Sequence, residues 1–170
     1  MEMMQQKPPA TSKPGVNRAQ SHSAEDQYLT LKLGNEEYAI DILCVQEIRS
    51  YEEPTRMVNA PLFVKGVINL RGVIVPIVDV RLKLELANAD YNEFTVVIIL
   101  NLNGTVIGAV VDSVSDVVTL SAESIKPAPQ FESGIDSRFV TGLVNFGERM
   151  LIVMDVVTLL SSAELGMLAR

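Results

Sequence analysis

The chain has one histidine, one cysteine and no tryptophan among its 170 residues. Each scarcity removes a class of chemistry. His22 sits in a polar opening stretch, away from the apolar part of the chain, so neither a histidine-based triad nor a metal cluster has its raw material. Cys44, standing alone, forms no internal disulfide and reads as a small core hydrophobe. Positive charge is also short. Fourteen Lys and Arg face 21 Asp and Glu, a net charge of −7, with a pI near 4.7. Binding phosphate requires a basic stripe, which argues against nucleic acid and against an anionic membrane surface. The most apolar runs, residues 96–100 and 73–80, are too short to span a bilayer. The first residues hold no apolar stretch of signal-peptide length. Gly66 and Gly72 lie six apart with no Gly-Lys-Ser/Thr after them, so there is no phosphate loop. The expectation is a soluble cytoplasmic protein.

What is present is present twice. Residues 31–48 align without a gap on residues 100–117, an offset of 69. Gly66-Val-Ile-Asn69 then matches Gly142-Leu-Val-Asn145, and Asp79 matches Asp155, at an offset of 76. One seven-residue insertion within 124–138 accounts for the difference (76 − 69).

Residues 1–26 carry Gln, Pro, Ser, Thr and Lys with few apolar side chains, and read as a disordered tail before a domain spanning 27–170. From Tyr28 the period becomes two. Leu29, Leu31 and Leu33 alternate with polar residues, a turn follows at 34–37, and Tyr38, Ile40 and Ile42 form the second arm of a hairpin. Copy two repeats this, with Asn103-Gly104 as a strong two-residue hairpin turn. The run 94–100 is apolar at nearly every position, as expected of a strand covered on both faces where the halves meet. Short helical elements are expected at 59–66 and 136–142, each stopped by its glycine. Apolar strands follow at 73–78 and 150–154. Pro76 cannot donate to a ladder, so its strand is expected at an edge or bulged. Asp79 and Asp155 read as N-caps of short helices at 80–84 and 156–160. Ser161-x-x-Glu164 resembles a capping box opening a last helix over 161–168. The fold class is therefore all-β: two intertwined five-stranded barrel subdomains, copy one about 28–84 and copy two about 94–160.

Candidate chemistry is sparse. Asp41, Asp79, Asp112, Asp116 and Asp155 could in principle supply an acid and a base, but two already serve as caps and the rest fall near turns or outer faces. Glu47 and Arg71 are charges embedded in apolar sequence. They form either an ordinary exposed pair of little worth or a bidentate pair that fixes a loop at a binding face. Copy two keeps the acid as Asp116 but has Gly147 in place of Arg71, so the fold of the repeat does not demand this arginine. Ile42, Val45 and Ile48 recur every three residues rather than every two; they are core, or a bulge turns some of them toward a partner.

Residues 35–49, the stretch 64–79 with its Lys-Gly-Val-Ile-Asn-Leu-Arg-Gly motif, residues 110–117 and 126–131, and Thr141-Gly-Leu closely resemble the CheW family of chemotaxis coupling proteins. The likeness covers about residues 27–162. It implies two five-stranded barrels around a shared core and a scaffold without catalysis or cofactor. It implies two partners, the cytoplasmic tips of chemoreceptors and the regulatory domain of the histidine kinase CheA, in arrays at the inner face of the membrane. By position it places Leu29, Ile42, Val45, Glu47, Ile48, Gly66 and Arg71 at a receptor-binding face, and Lys126 and Phe131 at a kinase contact. It favours the Glu47–Arg71 pair as one that orders the binding face. Two other readings remain. A carboxylate-pair enzyme would need two close acids with separated pKa values. A homo-oligomer would join copies of the chain through edge strands.

Overall fold

The computed structural model describes residues 25–86, 89–127 and 137–161. Ten strands run in order: β1 Glu25–Leu33, β2 Glu36–Asp41, β3 Val45–Ser50, β4 Val64–Leu70, β5 Val73–Asp79, β6 Val96–Leu102, β7 Thr105–Val111, β8 Ser113–Ser121, β9 Val140–Phe146 and β10 Arg149–Met154. Two one-turn helices, α1 Val80–Lys83 and α2 Val156–Leu159, follow β5 and β10. Single 3-10 turns occur at Ile42–Cys44, Ala122–Ser124 and Ser137–Phe139.

The strands make two five-stranded sheets, ordered β8-β1-β2-β10-β9 and β3-β6-β7-β5-β4. Each sheet mixes the two copies of the repeat. The β1–β2 hairpin of copy one sits among three strands of copy two, and the β6–β7 hairpin of copy two sits among three strands of copy one. The chain crosses between sheets at two places, the 3-10 turn Ile42–Cys44 and Asp112. Side-chain alternation explains how the sheets pack. On β6, Ile98, Leu100 and Leu102 enter the central cluster, together with Leu29, Leu31, Leu33, Tyr38 and Ile40 of the other sheet. The alternate residues Val97 and Ile99 enter a second cluster with Leu70, Val75, Ile77 and Val110, all of their own sheet. Ala39, Val118, Leu120, Val144, Leu151 and Val153 form the matching cluster of the first sheet. β6 is thus covered on both faces, as its unbroken apolar run requires.

The strands leave each sheet open, between β3 and β4 in one and between β8 and β9 in the other. A single bridge spans each gap. Thr55 pairs with Val67 through hydrogen bonds of 2.9 and 2.8 Å, and Lys126 pairs with Leu143 at the same two distances. Both bridges cross a glycine. A Cβ on Gly66 (φ +146°) would lie 2.0 Å from the Thr55 carbonyl oxygen, and one on Gly142 would lie 2.5 Å from that of Lys126. These matched glycines permit the close approach of backbone to backbone by which one bridge spans each gap; the strands themselves form two open sheets rather than the closed barrels expected.

Several expectations are corrected. Glu25 and Asp26, assigned to the tail, open β1 opposite Ser121 and Leu120; residues 1–24 lie outside the described residues. Residues 59–66 form turns and the start of β4 rather than a helix, because Gly66 is needed inside the strand for closure. Gly142 likewise lies within β9, after the 3-10 turn Ser137–Phe139. β5 is an interior strand, and the register shift falls in β4, at Val64/Gly66. The proline is tolerated because pairing with β7 begins only at Ile77, so no rung is missing on that side. Asp79 and Asp155 do cap their helices, accepting from Arg81 N and from Val157 N and Thr158 N. Asn103 and Gly104 take φ of 56° and 96° in the β6–β7 turn. The helix expected beyond Ser161 lies outside the described residues.

Candidate docking face

The candidate face is built on edge strand β3. Asp41 ends β2 and accepts a 2.9 Å hydrogen bond from Leu43 N, and this cap winds the 3-10 turn that carries the chain to the other sheet. The turn, with a bulge between Val45 and Glu47 in the pairing to β6, produces the three-residue period seen in the sequence. Ile42, Cys44 and Val45 are half-buried against the central cluster. Ile48 faces out, 42% exposed.

Arg71 occupies the tight turn between β4 and β5 with φ of 51°, next to Gly72 at 90°. The Asn69 side chain accepts from Gly72 N at 2.8 Å and fixes the turn. From there Arg71 Nη2 donates to Glu47 Oε2, and Arg49 Nη1 lies 3.5 Å from Glu47 Oε1. The hydrogen bond from Arg71 holds the Glu47 carboxyl below its ordinary range. The pair therefore ties edge strand β3 to the turn that follows β4, the other edge of the same sheet. Exposed Val73 and Ile74 continue the same turn, at 52% and 60%. The edge thus carries a charged bridge and exposed apolar side chains, with Ile48 on the face of β3 opposite to Glu47.

The other predicted residues do not all join this centre. Leu29 is buried in the central cluster on which Ile42 and Val45 rest, so it supports the face from beneath and offers no surface of its own. Gly66 lies at the closing bridge of β4. Lys126 is exposed on the other sheet, in the bridge to β9, and Phe131 lies outside the described residues.

Three arginines organise the charge, and the sequence pointed to only one of them. Copy two does have an arginine for its acid. Arg149 Nη2 lies 3.0 Å from Asp116 Oδ1 and also makes a bidentate pair with Glu37, at 3.1 and 2.6 Å. It stands two residues beyond the position matched to Arg71, which is why alignment hid it. Its hydrogen bonds hold Glu37 and Asp116 below the usual carboxylate range. Arg81 is fully buried between Asp79 and Asp112. Burial opposes its charge, but hydrogen bonds to Asp79 and Asp112 outweigh that and raise its pKa. A charge inside the apolar run Ile77-Val-Asp-Val-Arg-Leu82 was the available signal.

Each of the five candidate acids accepts hydrogen bonds from a backbone amide, a side-chain donor or both. Among the described residues no group of three or more His, Cys, Asp or Glu is placed to hold a metal ion.

A family sequence model described as "CheW-like domain" matches residues 27–164. The chain is 51% identical over 152 residues to "Chemotaxis protein CheW" of Klebsiella aerogenes, covering 89% of this chain and 92% of that protein. It is 34% identical over 148 residues to the "Chemotaxis protein CheW" of Treponema pallidum, covering 85% and 87%. Among solved structures it resembles the scaffolding protein TtCheW from Thermoanaerobacter tengcongensis, with a TM-score of 0.73 and 29% identity over 81% of this chain and 89% of that one.

Proposed function

This chain belongs to the CheW-like domain family, and on that premise we propose that it is a non-catalytic chemotaxis scaffold that couples chemoreceptors to the histidine kinase CheA. The observation that carries the receptor side is the Glu47–Arg71 tie between edge strand β3 and the β4–β5 turn, at an edge that also exposes Ile48, Val73 and Ile74. A receptor tip is a helical bundle, and its apolar stripe would meet Ile48, Val45 and Ile42 while polar groups meet the ion pair at the rim. Leu29 and Gly66 hold the shape of this face. The kinase side is Lys126, exposed on the opposite sheet, together with Phe131 further along the same stretch of chain and outside the described residues; there the regulatory domain of CheA would dock. With the Glu47–Arg71 face on one sheet and Lys126 on the other, one copy would bridge two partners at once and be held at the inner face of the membrane through receptor arrays.

The test is co-sedimentation. Receptor-containing membranes and purified CheA are spun with and without this protein, and phosphorylation of the kinase is followed in the same samples. The proposal expects joint recruitment and raised kinase activity that responds to receptor ligand. A protein that pellets with neither component contradicts it.

A further inference from the structure

We propose that Arg81 is a positioning residue for the docking face, acting through Tyr91 and Tyr51 on the trailing end of β3; this rests on the reading of that face given above. Arg81 makes a bidentate pair with Asp79, Nε to Oδ1 at 2.9 Å and Nη2 to Oδ2 at 2.8 Å. Its Nη1 donates to Asp112 Oδ1 and to the Asp90 carbonyl oxygen, both at 2.6 Å. The guanidinium is thereby immobile, and the Tyr91 ring lies against it, 4.9 Å from guanidinium carbon to ring centroid. The Tyr91 hydroxyl donates to Asp79. One ion pair thus fixes both the face and the tip of this tyrosine.

Tyr91 in turn packs on Tyr51, with centroids 4.6 Å apart and rings inclined by 35°. Tyr51 directly follows Ser50, the last residue of β3, and its amide donates to Thr95 O at 3.3 Å. Lys65 of β4 places its Nζ 5.5 Å from the Tyr91 centroid. The stack therefore gathers β3 and β4 at Lys65, near one end of β4, while Glu47–Arg71 gathers them just past the other. Asp112 extends the network to the other sheet, the one that holds β1 and β2, accepting from Gly34 N in the β1–β2 turn at 2.7 Å.

The repeat shows that closing a sheet does not need this network. Arg81 corresponds to Val157 (81 + 76) and Asp112 to Leu43 (112 − 69), both exposed apolar residues. Tyr51 corresponds to Leu120 (51 + 69), which is simply buried. Among the described residues, copy two keeps the capping aspartate and its bridge without an ionic or aromatic counterpart of Arg81, Asp112 or Tyr51. Burying charge carries a desolvation penalty that an apolar replacement avoids. A cluster whose Arg81, Asp112 and Tyr51 have only apolar counterparts in the repeat, and which leads to the edge that bears Glu47 and Ile48, fits a role in holding that edge in register for a partner.

Removing Arg81 itself would strand two acids and risk unfolding, so the test uses the tyrosines. Tyr51→Leu installs the residue that copy two carries at that position, Tyr91→Leu removes the ring, and Tyr91→Phe keeps the ring and loses only the bond to Asp79. Amide hydrogen exchange is measured in the free full-length chain, and binding to receptor-containing membranes in parallel with Arg71→Glu. The proposal expects cooperative unfolding in all three variants. In both leucine variants it expects exchange of the 49–51 amides to rise about tenfold while β8 is unchanged, and receptor affinity to fall about tenfold. Tyr91→Phe should keep most of both. Unchanged exchange at 49–51, or an equal rise in β8, overturns the proposal, as does faster exchange with full binding. If Arg71→Glu also binds normally, it is the docking reading that has failed; if only Arg71→Glu loses binding, the positioning role alone is wrong.

Discussion

Replacing Gly66 by alanine should open the seam between β3 and β4. The new Cβ would stand 2.0 Å from the Thr55 carbonyl oxygen and 2.7 Å from its carbon, both backbone atoms that cannot rotate away. The bridge to Val67, with its 2.9 and 2.8 Å hydrogen bonds, must then separate. Two such bonds are worth about 2 kcal/mol together. A φ of +146° adds about 2 kcal/mol of strain for a residue with a Cβ. The sum, about 4 kcal/mol, is a large part of the stability of an ordinary domain and corresponds to a fall in Tm of about 10 °C. Gly72→Ala is the internal control. It shares a positive φ (+90°) but meets nothing within 4 Å, so it should lose only about 1–2 kcal/mol. Urea unfolding followed by circular dichroism measures both. Equal losses in the two variants would show that closure of the sheet at Gly66 does not depend on the close approach.

The remaining predictions concern buried polar and ionic groups. The Tyr38 hydroxyl is buried without a hydrogen-bond partner, so Tyr38→Phe should stabilise the fold by about 1 kcal/mol in urea titrations. Burial pushes that phenol up to about 12; its contribution is complete below the unfolded value near 10 and is lost as pH rises from about 10 toward 12. The phenylalanine variant should therefore lose less stability than the parent across that interval. Glu37 and Asp116 are held low by Arg149. Their contribution is complete above the unfolded carboxylate values near 4 and is lost as pH falls through the depressed folded ones. Arg149→Gln should flatten the acid limb of the stability curve, and an unchanged limb would argue against the pairing.

Much of the fold was legible because it is local. Strand alternation at 29–33, the Asn103-Gly104 turn and the capping role of Asp79 and Asp155 depend on neighbours in sequence, and the duplication multiplied each signal. The unbroken apolar run of β6 announced coverage on both faces. What was not legible depends on partners distant in the chain. The exchange of hairpins between sheets leaves no mark in periodicity, because a strand buried on one face looks the same in either sheet. Gly66 read as a helix stop, since a glycine kept small by a backbone 11 residues away looks like any other. Arg149 was hidden because it serves the same acid from two positions further on. In the candidate site the Glu47–Arg71 pair was legible as two charges in apolar surroundings. The buried Arg81 carried the same signal, but Asp79, its principal partner, had already been assigned as a cap.

The central claim is most directly tested by reconstituting receptor membranes and CheA with either the parent protein or Arg71→Glu, and measuring kinase autophosphorylation with and without receptor ligand. The pair is solvent-exposed, with the Arg71 side chain 66% accessible, so its loss should leave Tm within about 2 °C. The account predicts ligand-sensitive activation by the parent and its loss in the variant. Equal activation by both proteins would contradict the docking face, and no activation by the folded parent would contradict the coupling function itself.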